Sequence, residues 1–100
     1  NSSSAVASLP DINLDNSNKK ITLKFLNSTW IQLRNIDDKI IHSKLMNQGD
    51  EYTFNSSDQL NLTAGNAGNI IIILDGIVRG KAGKAGEVIE SLIINDSFKN

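Results

Sequence analysis

Asn69-Ile70-Ile71-Ile72-Ile73-Leu74-Asp75-Gly76-Ile77-Val78 is the stretch on which the fold turns. In an extended chain Ile70, Ile72 and Leu74 face one side and Ile71 and Ile73 the other. A run that is apolar on both faces belongs in the middle of a sheet, because at an open edge it would recruit other chains. Its β-branched content favours a strand over a short helix. Asp75-Gly76 then supplies a two-residue hairpin signal, since glycine takes positive φ at low cost, and Ile77-Val78 resumes the extended pattern.

Outward from this segment the same period of two continues in both directions. Upstream, Ile21, Leu23 and Phe25 alternate with Thr22 and Lys24. A run from Thr29 to Asn35 sets Ile31 and Leu33 on one face and Trp30, Gln32 and Arg34 on the other. Asp37-Asp38 gives turn chemistry, because short carboxylates bond nearby backbone amides. The run from Lys39 to Asn47 offers Ile41 and Leu45 to a core, with His42 and Lys44 opposite. After Gly49-Asp50 come Tyr52 with Phe54, then Leu60 with Leu62, and a break from Gly65 to Gly68. Downstream, a glycine-rich segment from Gly80 to Gly86 reads as a flexible loop, and a last strand from Glu87 to Asn95 points Val88, Leu92 and Ile94 inward. Short strands at regular spacing, without helical periodicity, define an all-β protein: an antiparallel two-sheet β-sandwich of about seven strands, Ig-like or Greek-key in type. An open barrel is the competing arrangement.

The chain has 100 residues, with a formal net charge of -1 and no cysteine. Residues 1–20 are poor in apolar side chains and read as a Ser/Asn-rich linker, residues 21–96 as the sandwich and residues 97–100 as a tail. Asn1 in place of Met leads us to expect a piece of a larger protein. A near-even charge balance argues against nucleic-acid binding by this chain. The longest apolar run, Ile70 to Leu74, is far short of the ~20 residues that span a bilayer, so any anchor is expected elsewhere in the parent. Matches to the glycosylation acceptor pattern, such as those at Asn27, Asn55 and Asn61, are what chance gives in an Asn-rich chain.

Chemistry-bearing residues are sparse. His42 and Ser43 are adjacent, so on one strand they point to opposite faces and cannot form a nucleophile–base pair. Asp37-Asp38 and Asp50-Glu51 fall at turns, where solvation is their usual fate, and neither pair has the spacing of a calcium loop. The segment Gly80-Lys81-Ala82-Gly83-Lys84-Ala85-Gly86 lacks the order of a phosphate-binding loop and is followed by no helix. Arg79, Lys81 and Lys84 suit either a solvated loop or contact with an anionic surface. Trp30 either packs at the sandwich edge or offers its ring to a partner. From these residues we expect no catalytic group, no metal site and no cofactor. The candidate contacts are Trp30, Arg34, Tyr52, Arg79, Lys81 and Lys84.

Leu23-x-Phe25, Trp30-Ile31-x-Leu33, Asp37-Asp38, Leu45 before Gly49, Leu62-x-x-Gly65-Asn66-Ala67, the Ile70–Leu74 run, Asp75-Gly76 and Gly86-Glu87-Val88 follow one another in order. This succession resembles the C-terminal periplasmic domain of RodZ-like bacterial cell-shape proteins, a domain without an assigned biochemical activity. It departs from that pattern at Asp38, where the resemblance implies glycine. The resemblance implies a parent with a cytoplasmic helix-turn-helix domain, one transmembrane helix, a linker and then this domain on the periplasmic side of the inner membrane. It also implies a non-catalytic scaffold role, with an envelope protein or the peptidoglycan-synthesis machinery as partner. The alternative is a carbohydrate-binding module that stacks wall glycan on Trp30 and Tyr52.

Overall fold

A computed structural model of the protein describes residues 19–98. The expected linker therefore lies almost wholly outside the described residues, as does the end of the tail. Eight strands form: β1 (Lys20–Phe25), β2 (Thr29–Arg34), β3 (Ile40–Met46), β4 (Glu51–Asn55), β5 (Leu60–Ala64), β6 (Ile70–Leu74), β7 (Ile77–Lys81) and β8 (Ile89–Ile94). They make two antiparallel four-stranded sheets, ordered β4-β1-β6-β7 and β3-β2-β5-β8. Short 3-10 turns at Ser56–Asp58 and Ala67–Asn69 carry the chain from one sheet to the other. Only the β2–β3 and β6–β7 connections stay within a sheet, so the remaining links weave the two layers together. The expected sandwich is thus the architecture, with one strand more than expected.

The core follows from the alternation. Ile21, Leu23 and Phe25 of β1 and Ile70, Ile72 and Leu74 of β6 meet Ile31 and Leu33 of β2 and Leu60 and Leu62 of β5, all buried. The β6 run sits between β1 and β7, as its two apolar faces require. Its outward Ile71 and Ile73 are half-buried. Phe98, placed in the tail by the sequence, packs against this core.

Strand β3 corrects the sequence reading. Thr29, Ile31 and Leu33 stand opposite Met46, Lys44 and His42, and directly opposed residues share a face. The inward face of β3 is therefore His42, Lys44 and Met46, and Leu45 points outward, 54% exposed. Polar residues are tolerated on that inward face because β3 is an edge strand, and its flank opens to water at the side of the sandwich. Ile41 is the extra residue of a bulge, since Leu33 pairs with His42 but Arg34 with Ile40. Val88 likewise lies outside the last strand and is exposed.

The turns explain two further sequence features. Asp75 and Gly76 have φ of 53° and 85°, which is the two-residue hairpin expected from that pair. In the β2–β3 hairpin, Asp38 N–H donates to the Asn35 carbonyl and Asn35 N–H to the Lys39 carbonyl, both at 2.9 Å. Asn35 Oδ1 accepts from Asp37 and Lys39 at 2.9 and 3.0 Å. Asp38 then has φ 63°, the left-handed residue that closes a three-residue loop and for which glycine is best suited. Its ion pair with Arg34, 3.6 Å long and exposed, offsets little of that strain. Replacing Asp38 by Gly is expected to stabilise the domain by about 0.5 kcal/mol. A thermal midpoint higher by roughly 2–4 °C would show it, and an unchanged or lower one would contradict this account of the turn.

Candidate interaction surfaces

The outer face of the β3-β2-β5-β8 sheet brings Trp30 and Leu45 together as a directly opposed pair on neighbouring strands. Trp30 is 43% exposed, so part of the indole is presented at the surface by the sheet beneath. Gln32 and Arg34 continue the row along β2. Across β5 the face turns polar: Asn61 Nδ2 donates to Ser91 Oγ at 2.8 Å and the Thr63 hydroxyl to the Glu90 carbonyl at 2.7 Å. Ile93, opposite Asn61, restores an apolar patch at the far side. Apolar ends flanking a polar middle are what an oriented contact surface needs.

The other candidates do not join this face. Tyr52 sits on β4 opposite the buried Leu23 and so points inward. Its ring stacks on His42, with centroids 4.5 Å apart and planes 23° from parallel. His42, read as a surface side chain, is thus half-buried at the sandwich edge, and Trp30 and Tyr52 form no common platform. Arg79 and Lys81 lie on edge strand β7, on the opposite side of its sheet from β4, rather than on a loop. Only Lys84 is in the loop that follows.

That loop is not a loose one. Its backbone is fastened to the turn after β5: Ala67 N–H donates to the Glu87 carbonyl at 2.8 Å and Gly86 N–H to Asn66 Oδ1 at 2.9 Å. Lys84 N–H donates to Glu87 Oε1 at 2.8 Å, and Ala82 N–H to the Ile70 carbonyl at 2.9 Å. The two glycine-containing motifs singled out in the sequence, Gly65-Asn66-Ala67 and Gly86-Glu87-Val88, are therefore two halves of one cradle.

The sheet edges carry a further message. An extra residue bulges β3 at Ile41, β7 at Arg79 and β8 near Glu90 and Ser91, while β4 pairs with β1 in unbroken register. Bulges twist an edge away from regular pairing, so three of the four edges resist addition of a foreign strand.

Sequence reasoning missed a groove of about 430 Å³ at the β2–β3 hairpin end, lined by Ile36, Ile41, Tyr52, Phe54 and Leu60, with Ser57 and Asp58 at its rim. Ile36, 74% exposed, separates it from a second hollow of about 390 Å³ bounded by Asp38, Gln59, Asn61 and Ile93. An aliphatic residue in an otherwise polar turn was the one available signal. Among the described residues no group of three or more His, Asp or Glu side chains is placed to hold a metal ion. No helix among them is long and apolar enough to cross a membrane.

Among the described residues this all-β chain presents a Trp-Leu face and two open hollows, and its class is that of the antiparallel β-sandwich domains. The family model of the RodZ C-terminal domain matches residues 22–90, and the chain belongs to that family. It is a domain of a RodZ-like cell-shape protein. No similar curated protein and no similar solved structure was found.

Proposed function

We propose that this domain is the non-catalytic, periplasmic scaffold module of a membrane-anchored RodZ-like parent whose N-terminal part carries a helix-turn-helix domain. Its partner is an envelope protein of the wall-synthesis machinery. The observation that carries the reading is the Trp30–Leu45 pair, two large apolar side chains held outward on a rigid sheet. Buried aromatic anchors supply most of the energy of protein interfaces. Three bulged edges favour contact through this face over strand addition.

The gene upstream of the Asn1 codon should encode one membrane-spanning segment and, before it, a small helical domain; if neither is present the membrane-anchored reading is lost. In cells, Trp30→Ser with Leu45→Ser in the parent protein should round or misshape the cells. The isolated domain should stay folded, losing no more than about 2 kcal/mol, because both side chains are partly exposed on the outer face. Normal cell shape with this pair would remove the face from consideration. The exposed indole also favours a second reading, wall-glycan binding through Trp30 alone. An indole emission spectrum that does not move on titration with soluble wall fragments would end it.

A further inference from the structure

The groove lined by Ile36, Ile41, Tyr52, Phe54 and Leu60 draws side chains from both sheets, and nothing among the described residues covers it. The chain that precedes the described residues arrives at its rim. Lys19 N–H donates to Ser56 Oγ at 3.0 Å, and Ser56 N–H donates to the Lys19 carbonyl at 2.7 Å. Ser56 opens the 3-10 turn whose next two residues, Ser57 and Asp58, form the groove's rim. Residues 1–18 are thus tethered beside an open apolar hollow.

Within those residues the sequence holds an alternating pair of large aliphatic residues set between polar ones: Asp11-Ile12-Asn13-Leu14-Asp15. In an extended conformation Ile12 and Leu14 project to the same side, with the polar residues opposite. Leu14 precedes Lys19 by five residues, a reach of about 17 Å, and the intervening Asn16-Ser17-Asn18 are turn-forming types. Tethering makes this contact intramolecular, with an effective concentration on the order of millimolar for a short connection.

We infer that Ile12 and Leu14 dock in this groove of their own chain, as a built-in occupant of the mouth between β3 and β4. Because the groove is separate from the Trp30–Leu45 face, this assignment stands or falls independently of the proposed function.

The chain has no cysteine, so Ser8→Cys gives a single site for a nitroxide label on the full 100-residue protein. Nitrogen-15 spectra at low concentration should show paramagnetic broadening of the Ile41, Tyr52 and Ser57 amides, and much less at Val78 on the opposite edge strand. Adding Ile12→Asn and Leu14→Asn should reduce the broadening to the weak, diffuse level of a freely tethered label and shift the Tyr52 and His42 resonances. Absence of broadening at the groove, or broadening that the double substitution leaves unchanged, overturns the assignment. So does broadening that appears in a mixture of nitroxide-bearing nitrogen-14 chains and unlabelled nitrogen-15 chains, because the occupant is then a second copy.

Discussion

Leu33→Ala should destabilise the domain by about 3–4 kcal/mol, whereas Leu45→Ala, twelve positions later, should change it by less than about 1 kcal/mol. Leu33 is fully buried in the central β2 strand, where its removal leaves a cavity that packed neighbours cannot fill. Leu45 stands on the outer face with more than half its surface already in water, so truncation removes little burial. A domain of about 80 residues has roughly 4–12 kcal/mol to lose, so the first change approaches global unfolding and the second does not. Urea denaturation of the two variants, compared at constant m, measures the contrast directly. Equal losses would mean that Leu45 lies in the core and that the β3 face is assigned backwards.

That contrast also marks where the sequence was legible. On β1, β2 and β6 the period of two reported the faces correctly, because those strands have a paired neighbour on each side and one or both faces fully covered. On β3 the same pattern pointed the wrong way. An edge strand can turn His42 and Lys44 toward the layer gap, since their polar ends reach water past its flank, and the bulge at Ile41 breaks the local phase. Gly80 and Lys81, at the start of the expected loop, were misread for a related reason: a glycine at φ 134° within a bulged strand has the same composition as a glycine in a loop.

The candidate site was legible to the same extent. Trp30 was placed outward by its phase against Ile31 and Leu33, and it is outward. Tyr52 shares its phase with the core residue Phe54, so an inward orientation was written in the pattern, although the His42 stack that covers it was not. The groove depends on which strands meet at one end of the sandwich, a property of topology that a one-dimensional pattern does not carry.

Gly68→Ala should cost about 1–3 kcal/mol, while Gly65→Ala in the same motif should be nearly neutral. A Cβ at Gly68 would lie 2.5 Å from Ala85 Cα, 2.7 Å from Ala85 N and 2.7 Å from the Lys84 carbonyl oxygen. All three are backbone atoms, so no side-chain rotation relieves the overlap and the loop from Ala82 to Glu87 must lift as a unit. Lifting it strains the Ala67–Glu87 and Asn66–Gly86 hydrogen bonds that close the cradle. A Cβ at Gly65 would meet only the Trp30 carbonyl oxygen at 3.9 Å, an ordinary contact. The penalty at Gly68 thus arises from space rather than from backbone conformation, and it should be accompanied by faster hydrogen exchange at the Lys84, Gly86 and Glu87 amides, with the β1–β6 amides less affected. If the two alanine variants are equally stable, or if exchange in the loop is unchanged by Gly68→Ala, then the turn after β5 and the loop before β8 do not hold each other. The pairing of Gly65-Asn66-Ala67 with Gly86-Glu87-Val88 would then have no structural basis.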